Sequence, residues 1–322
     1  MNVRLLAALM FLGCGSSSDD DSGAKDGGDT AAGDTGEAVG TGSGVAPLAE
    51  LSSGECPDFT ASGTSDFLSS GRSRTVTTVV PTAVEDGMPV IFLFHGLLDA
   101  SMSSPSASMA GWWNLQSYAD DLGAVFILPE SDLMTVATFS FYMWAVNEFD
   151  GEDVVLYDDL RTCASNALSV DLDRIHAMGF SGGGLFTTVV ARDRGDTLAS
   201  IVELSGGSDV TIPTFSELFA EYATPTAKMP ALLMAGGSAD VWPGGGMTIV
   251  DFSAATDSLQ EQLVEDGHYV VRCEHSEGHD APYSALTDSW QWISSHQFGQ
   301  PSPFESDGIG SLTTGCQEII AD

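Results

Sequence analysis

Residues 174–184 read RIHAMGFSGGG. The first half is mostly apolar and is typical of a short buried strand, whereas the residues that follow the glycines favour a helix. Glycines at the junction permit a sharp turn in which backbone segments approach each other closely. The stretch therefore predicts a strand, a tight turn and a helix, with Ser181 at the turn.

The turn also predicts chemistry, because Gly179-Phe180-Ser181-Gly182-Gly183 has the G-x-S-x-G spacing. Between a strand and a helix, this pattern is typical of a nucleophile elbow, which presents a serine hydroxyl at the end of a sheet. The N-terminus of the following helix would place partial positive charge near a developing oxyanion. A glycine-rich turn without a catalytic role is the alternative. We interpret Ser181 as a nucleophile because its context meets the structural condition of the motif.

Short apolar runs recur along the chain, at residues 74–80, 89–95, 124–129, 174–179, 199–205, 230–236 and 268–273. Several are continuously apolar, as expected for strands that are covered on both faces. Segments that favour helices lie between them, at residues 106–122, 153–168, 182–192, 251–266 and 284–297. This alternation predicts an α/β fold with a mainly parallel central sheet and helices on both faces. The first strands, before Pro89, resemble a hairpin and are expected to be antiparallel.

A serine nucleophile needs a general base. His279, in EGHDAP at residues 277–282, follows the last predicted strand and is expected at the carboxyl edge of the sheet. His275 in the same loop is the alternative. Three other histidines lie in strands or at a helix end and have structural explanations: His176, His268 and His296.

The acid that would orient this histidine is predicted at the end of the preceding strand. Asp240 lies in AGGSADVWPGG, which continues directly from the apolar run at 230–236. Asp209, one strand earlier, is the alternative. The chain order Ser181, Asp240, His279 agrees with the order of α/β-hydrolases.

The oxyanion that such a reaction forms needs backbone donors. His95-Gly96 ends the apolar run at 89–95 and is followed by Leu97. The amides of Leu97 and Gly182 are predicted to point at the ester oxygen, where each donor would lower the barrier by about 3–4 kcal/mol. A plain turn after the strand is the alternative.

The composition excludes one class of partner. The chain has 322 residues, of which 46 are acidic and 10 are basic, and its formal net charge is −36. Such a chain repels nucleic acid, so we expect no nucleic-acid partner. The same charge fits a saline habitat, where screening relieves self-repulsion, or a surface that resists aggregation.

The N-terminus predicts export. Residues 1–13 combine Arg4 with a short apolar stretch, as in a signal peptide, and FLGC at residues 11–14 resembles the lipobox of bacterial lipoproteins. This resemblance implies lipidation of Cys14, with an ordinary cleaved signal as the alternative. Residues 14–54 are rich in Gly, Ser, Asp and Thr and predict a disordered tether, so the folded domain is expected at residues 55–322.

Six motifs, taken together, resemble extracellular hydrolases similar to polyhydroxybutyrate depolymerases and feruloyl esterases. They follow one another in the order VIFLFHG (90–96), WNLQSYADDLGAVFILPE (113–130), LSVDLDRIHAMGFSGGG (168–184), LSGG (204–207), GGSAD (236–240) and EGHDAP (277–282). The resemblance covers about residues 72 to 297. It departs from the family at Leu97-Leu98 after the HG turn and at Asp280 after His279.

The resemblance implies an α/β-hydrolase fold and hydrolysis of small or polymeric esters by Ser181, Asp240 and His279, without metal or organic cofactor. The protein is expected to be a monomer, attached to the bacterial membrane or cell surface through a lipid only. Four aromatic residues are candidates for the substrate pocket, with core packing as the alternative: Trp144, Trp242, Phe180 and Tyr142. A serine peptidase of the same fold and a non-catalytic surface lipoprotein remain alternative functions.

Four cysteines remain beyond Cys14, and an exported chain with an even number suggests two disulfides. Four cysteines allow three pairings. In the α/β-hydrolase fold that the resemblance implies, the early strands and the helix at 153–168 lie on one side of the molecule, and the strand at 268–273 forms the other edge. This placement favours Cys56–Cys163 and Cys273–Cys316.

Overall fold

The computed structural model of the chain describes residues 44–136, 139–211, 218–244, 247–313 and 315–320. The predicted signal at residues 1–13, Cys14 and the first part of the predicted tether lie outside the described residues. Within the described ranges, the helices are too short or too polar to cross a membrane.

Sixteen strands are present in the described chain. They are β1 (Gly63–Ser69), β2 (Arg72–Val79), β3 (Val90–Phe94), β4 (Leu98–Asp99), β5 (Val125–Pro129), β6 (Leu133–Val136), β7 (Phe139–Tyr142), β8 (Ile175–Phe180), β9 (Ser200–Leu204), β10 (Val210–Thr211), β11 (Leu218–Phe219), β12 (Ala231–Ala235), β13 (Val241–Gly244), β14 (Met247–Asp251), β15 (Val270–Glu274) and β16 (Cys316–Ile319). Nine of them form the central sheet, in the order β1-β2-β5-β3-β8-β9-β12-β15-β16.

The interior of this sheet is parallel. The neighbours from β5 to β15 run in one direction, whereas β1 and β2 form an antiparallel hairpin at one edge and β16 is antiparallel at the other. The predicted antiparallel start is therefore confirmed, and the seven predicted strands correspond to β2, β3, β5, β8, β9, β12 and β15. Because all these strands except β2 are crossover-connected and parallel, their carboxyl ends meet at one edge of the sheet.

Helices cover both faces of the sheet. They are α1 (Pro105–Trp112), α2 (Leu115–Leu122), α3 (Glu152–Leu168), α4 (Gly182–Arg194), α5 (Phe252–Glu265), α6 (Tyr283–Ser295) and α7 (Pro303–Asp307). Alternate residues of β3 enter two different cores: Phe92 and Phe94 pack with α3, α4 and α5, while Ile91 and Leu93 pack with α1, α2, α6 and α7. The continuous apolar runs are thus strands that are buried on both faces.

One predicted helix is divided into two. The segment at 106–122 forms α1 and α2, because Asn114 has a φ of 49° and cannot continue the first helix. Trp113 ends α1, and Ser104 accepts a hydrogen bond from the Ala107 amide at its start. Asparagine is one of the few residues that adopt the left-handed region at low cost, and the apolar pattern alone does not register such a break.

The long connections at the carboxyl edge carry small sheets of their own. β4, β6 and β7 form a three-stranded sheet after β3 and β5, β10 pairs with β11, and β13 pairs with β14. One of them, β13–β14, begins directly after Asp240. The segments that carry them follow β3, β5, β9 and β12 in the chain.

The packed part of the chain begins before residue 55, at which the composition predicts that the folded domain starts. Arg161 on α3 donates hydrogen bonds to the carbonyls of Ala46 and Pro47 at 2.6 and 3.0 Å. Asp159 on the same helix accepts a bond from the hydroxyl of Ser52 at 2.5 Å. Both side chains of α3 are buried and need partners, which residues 46–52 supply. A polar composition does not reveal such a role, and these contacts lie before the boundary predicted at residues 54 and 55.

Both predicted disulfides are present. Cys56 is bonded to Cys163 on α3, and Cys273 on β15 is bonded to Cys316 on β16. The first joins the early chain to a helix under the sheet, and the second joins the two strands at the opposite edge. Disulfides persist in oxidising compartments, which supports the predicted export of the chain.

Candidate active site

Ser181 lies at a strained turn between β8 and α4. Its φ is 58° and its ψ is −123°, a conformation that a residue with a side chain adopts only when its surroundings hold it there. The surroundings are close backbone contacts. A Cβ on Gly179 would lie 2.1 Å from the carbonyl oxygen of Gly183, and a Cβ on Gly183 would lie 2.0 Å from that of Phe94. The glycines therefore let three backbone segments meet where the hydroxyl is presented.

A chain of hydrogen bonds runs from this hydroxyl into the protein. The Oγ of Ser181 lies 2.9 Å from Nε2 of His279, and Nδ1 of His279 lies 2.7 Å from Oδ1 of Asp240. Asp240 is fully buried, and its other oxygen accepts a bond from the Gly236 amide at 2.8 Å. Because a carboxylate only accepts hydrogen bonds, Nδ1 carries the proton, and Nε2 of the neutral ring can accept from Ser181. The arrangement has the geometry required for a base-activated nucleophile.

The two partners of Ser181 come from the ends of neighbouring strands. Asp240 follows β12 through one short helical turn, Gly237–Ala239, and His279 lies in the loop between β15 and α6. Gly236 is required where these loops touch, since a Cβ there would lie 1.9 Å from the carbonyl oxygen of Gly278. The three residues predicted from the sequence are thus brought together, in the predicted chain order.

Phe252 is a site residue that the sequence did not indicate. Its ring stacks on the imidazole of His279 at a centroid distance of 4.3 Å, and Phe180 stacks on the same imidazole at 5.0 Å. The Phe252 amide also donates to the backbone carbonyl of Asp240 at 2.9 Å. Phe252 therefore holds both His279 and the Asp240 loop. In the sequence it is an apolar residue at the start of α5, which has the same pattern as any core position.

The two predicted oxyanion donors lie beside Ser181. A Cβ on Gly182 would lie 3.4 Å from the amide nitrogen of Leu97, which brings the two amides close together. A Cβ on Gly96 would lie 3.1 Å from the Cβ of Ser181. The segment at residues 96–97 thus passes next to the hydroxyl.

The two alternative residues have other partners. Asp209, just before β10, accepts bonds from the Tyr222 amide at 3.1 Å and from Nε2 of Gln262 at 2.6 Å. It therefore joins the chain on either side of the β10–β11 pair and connects it to α5. His275 accepts a bond from the Glu277 amide at 3.3 Å. In the described chain, neither is hydrogen-bonded to Ser181 or His279.

Buried histidines elsewhere are held neutral. Burial lowers the pKa of His176 to about 3 and the pKa of His296 to about 4. Burial also lowers the pKa of His268. Each has a local partner: the Ser200 hydroxyl for His176, the Trp292 carbonyl for His296 and the Met229 carbonyl for His268. These contacts agree with the structural roles predicted for them.

The four aromatic pocket candidates differ in position. Trp144 is 1% exposed, stacks on Phe186 at 4.5 Å and is part of the core, so its assignment to the pocket is wrong. The sequence shows that it is aromatic and close to a predicted site, but not that its ring points inward. Phe180 faces His279, as described above. Tyr142 and Trp242 are partly buried, the first beside the ring of His95 at 6.2 Å and the second on the β13–β14 hairpin.

A cavity of about 720 Å³ lies behind the loops that carry Asp240 and His279. Its walls include residues 236–239, residues 273–277 and the start of α6, and its described lining does not include Ser181. Carboxylates surround it, from Glu274, Glu277, Asp280 and Asp288. Asp288 lies near the sulfurs of Cys273 and Cys316, but these are joined in a disulfide and offer no thiolate to a metal. The cavity thus adjoins the loops that carry Asp240 and His279.

No protein-family model matches the chain, and no curated protein is similar to it in sequence. Solved structures are similar to it in fold. A variant of pOPH in complex with pNPB is 17% identical, with a TM-score of 0.65 over 83% of this chain and 97% of that chain. The structure of sOPH is 17% identical, with a TM-score of 0.62 over 82% and 96% of the two chains. A ferulic acid esterase is 15% identical, with a TM-score of 0.50 over 72% and 96%. At these identities, the likeness shows the fold, which is the α/β-hydrolase fold.

Proposed function

We propose that this chain is an exported serine hydrolase that cleaves carboxylic esters through an acyl-enzyme on Ser181. One observation carries the proposal: the unbroken hydrogen bonds from Ser181 through His279 to buried Asp240, at 2.9 and 2.7 Å. This set of residues, at the carboxyl edge of an α/β-hydrolase sheet, has the geometry and the roles of a nucleophile, a base and its orienting acid.

In the first half of the reaction, Oγ of Ser181 attacks the ester carbonyl carbon while Nε2 of His279 takes the hydroxyl proton. The carbonyl electrons move onto oxygen, and the amides of Leu97 and Gly182 donate to this oxyanion. When the tetrahedral intermediate collapses, the bond to the alcohol oxygen breaks, and His279 returns the proton to that oxygen. Asp240 stabilises the imidazolium and keeps its ring in place throughout.

In the second half, water takes the place of the alcohol. His279 removes a proton from the water, whose oxygen attacks the acyl-enzyme and forms a second oxyanion at the same two amides. Collapse of this intermediate releases the carboxylic acid and returns the proton to Oγ of Ser181. The steps balance without a metal or an organic cofactor.

The substrate class is inferred from the neighbours of the fold. One similar structure is described as a ferulic acid esterase, and the pOPH variant is in complex with pNPB. These descriptions support an ester substrate, and we propose polyhydroxyalkanoates or feruloylated and acetylated polysaccharides. The two disulfides support an oxidising compartment, and the resemblance of FLGC to a lipobox supports a lipid anchor on Cys14.

A fluorophosphonate probe and a pair of chromogenic substrates test the proposal. We expect the probe to label Ser181 and the protein to hydrolyse a p-nitrophenyl ester but not an aminoacyl anilide. Cleavage of the anilide would favour a serine peptidase, and a correctly folded protein that the probe does not label would be a binding protein. Short-chain esters, polyhydroxybutyrate films and feruloylated sugars, assayed side by side, would identify the natural substrate class.

The anchor is tested separately. We expect the wild-type protein to partition into detergent and the Cys14→Ser variant to remain soluble or unprocessed. A wild-type protein found only in the aqueous phase, with Gly15 or a later residue as its free N-terminus, would contradict the lipid anchor and leave the esterase proposal unaffected.

A further inference from the structure

His95 is a buried histidine whose two ring nitrogens both have backbone partners. It is 1% exposed, and it lies where β3 ends and the segment beside Ser181 begins. Its Nδ1 lies 2.7 Å from the carbonyl oxygen of Gly96, and its Nε2 lies 3.1 Å from the amide nitrogen of Ser131. The ring therefore connects the end of β3 to Ser131, two residues after the end of β5.

These partners determine which nitrogen carries the proton. A backbone amide can only donate, so Nε2 accepts from Ser131 and carries no hydrogen. The proton is then on Nδ1, which donates to the carbonyl of Gly96. Burial lowers the pKa of His95 to about 4, so the ring is neutral at neutral pH and keeps this tautomer.

The bond to the Gly96 carbonyl also determines where the next amide points. The carbonyl of Gly96 and the amide of Leu97 belong to one planar trans peptide, in which they point in opposite directions. Because the carbonyl faces the His95 ring, the Leu97 amide faces away from it. Leu97 N is close to Gly182, and Gly96 is close to Ser181. The side of the peptide that carries the Leu97 amide is therefore the side next to the Ser181 hydroxyl.

Trp144 holds the preceding peptide in the same way. Its Nε1 donates to the carbonyl oxygen of His95 at 2.7 Å, while its ring stacks on Phe186 and meets Phe94 edge to face at 5.3 Å. Two successive carbonyls, of His95 and Gly96, are therefore each held by a buried side-chain donor. The indole is fixed by the core, and the imidazole is fixed by the Ser131 amide.

We propose that His95 and Trp144 are positioning residues that hold the Leu97 amide toward the oxyanion, His95 through the Gly96 carbonyl and Trp144 through the His95 carbonyl. The inference rests on the proposed function, because it concerns the orientation of an oxyanion donor. It adds roles for two side chains that touch neither the substrate nor the nucleophile.

Two substitutions of His95 separate these roles. In His95→Asn the side-chain nitrogen can overlie Nδ1 and still donate to the Gly96 carbonyl, but the bond from the Ser131 amide is lost. In His95→Gln the terminal amide oxygen can overlie Nε2 and accept from Ser131, but the bond to Gly96 is lost. Each variant loses one buried hydrogen bond, so the two are matched in stability and differ in the peptide that they hold.

We expect kcat for p-nitrophenyl butyrate to fall about 100-fold in His95→Gln and less than about tenfold in His95→Asn, since loss of one oxyanion donor costs about 10²–10³. KM should be unchanged in both. A trifluoromethyl ketone, which forms a tetrahedral oxyanion adduct with the serine, should bind more weakly to His95→Gln by the same factor as kcat falls. The thermal midpoints of the two variants should be similar.

Equal kcat values for the two variants, whether high or low, would overturn the inference. If His95→Gln does not fold, Trp144→Phe provides the second test, because it keeps a ring against Phe186 and removes only the donor to His95. We expect a kcat loss of about tenfold with KM unchanged, and an unchanged kcat would also overturn the inference. A folded wild-type protein that neither hydrolyses the ester nor binds the ketone would instead overturn the proposed function, and the inference with it.

Discussion

Ser181 has two neighbouring regions that are built in different ways. The oxyanion side, residues 95–97 with Trp144, is packed into the core, and its peptides are held by buried side-chain donors. The acid–base side consists of the loops at residues 236–240 and 274–282, which are held by a few hydrogen bonds and adjoin a cavity of about 720 Å³. The proposed reaction would therefore depend on one region that is fixed by close packing and on another that is fixed by contacts between loops.

The difference follows from what each region must do. A backbone amide cannot adjust to an oxyanion on its own, so the whole peptide must be held in advance, which a dense core does well. A histidine that passes a proton between the serine and the leaving group needs an oriented ring, and stacking between Phe180 and Phe252 with a bond to Asp240 provides it. We expect substitutions on the two sides to differ in how they divide between stability and activity.

The largest effect is expected at the two residues that exchange the proton. Ser181→Ala or His279→Ala should lower kcat by roughly 10⁵–10⁶, and the double variant should be little worse because the residues act as one unit. KM should change little. His275→Ala is the matched control on the acid–base side and should stay within about tenfold, or 1.4 kcal/mol in barrier. An equally inactive but folded His275→Ala variant would contradict the assignment of the base.

Asp240→Ala should have the next largest effect. It removes the orientation of His279 and the stabilisation of the imidazolium, at a cost on the order of 10⁴ in kcat. Asp209→Ala is the control, because Asp209 is bonded to Tyr222 and Gln262 and holds the chain around β10 and β11 against α5. It should lower the thermal midpoint and change kcat by less than about tenfold, or 1.4 kcal/mol in barrier. If kcat fell 10⁴-fold in Asp209→Ala and not in Asp240→Ala, Asp209 would be the acid that orients His279 and Asp240 would not.

Gly183→Ala is expected to act on stability first. The added Cβ would lie 2.0 Å from the carbonyl oxygen of Phe94, so backbone segments of β3 and α4 would have to separate. We expect the free energy of unfolding to fall by about 3 kcal/mol or more. In the neighbouring variant Gly182→Ala the nearest atom would be at 3.4 Å, which is ordinary contact. Urea unfolding of the pair measures this difference, and equal midpoints would contradict the packing argument.

The buried histidines predict a sensitivity to acid. Burial lowers the pKa of His176 to about 3, below the value of about 6.5 for an exposed histidine. Between these values the unfolded chain binds the proton and the folded chain does not, so His176 lowers the free energy of unfolding as the pH falls through that window. The slope is about 1.4 kcal/mol per pH unit.

Protonation of the many carboxylates changes stability over the same range, so the test is a comparison of variants. In His176→Asn the side-chain nitrogen can keep the bond to Ser200 without a titrating ring. Its stability should fall less than that of the wild type between pH 6.5 and pH 4 in urea unfolding. Parallel curves for the two proteins would show that His176 does not titrate in this way.

The smallest effect is expected at the cavity behind the acid–base side. Glu277 is exposed and lines this cavity, two residues before His279. Glu277→Gln should change kcat by less than about twofold, or 0.4 kcal/mol in barrier, because surface positions contribute little. If Glu277→Gln lowered kcat as much as His95→Gln does, activity would be as sensitive to substitutions on the acid–base side as on the oxyanion side. The two regions would then not differ in the way described.

The sequence predicted the interior of the fold well and its edges poorly. Among the runs that became β3, β5, β8, β9, β12 and β15, several are continuously apolar, as expected for strands that are buried on both faces. β16 was not predicted, and β1 was expected only as part of a hairpin before Pro89, without an apolar run of its own. β1 exposes most of its residues and β16 carries Gln317 and Glu318 on the surface, so neither has a strong apolar signal. Their strand conformation depends on the neighbouring strand.

The residues of the candidate site also differ in how strongly the sequence indicates them. Ser181, Asp240 and His279 were identified as candidates from the sequence because each follows a strand whose position is fixed by its burial. Phe252 and the inward direction of Trp144 were not, because they depend on how loops fold over the strand ends. The contacts of residues 46–52 with α3 were hidden for a similar reason: the partners, Asp159 and Arg161, are more than 100 residues away in the chain.

The last strand of the sheet has a consequence for encounters between molecules. A sheet edge offers unpaired amides and carbonyls on which a second chain can add a strand, which is a common start of aggregation. β16 has four residues, with Gln317 and the charged Glu318 exposed, and the Cys273–Cys316 disulfide ties its start to β15. Because this edge strand is short, charged and covalently attached to its neighbour, it offers few unpaired backbone groups to which a second molecule could add a strand.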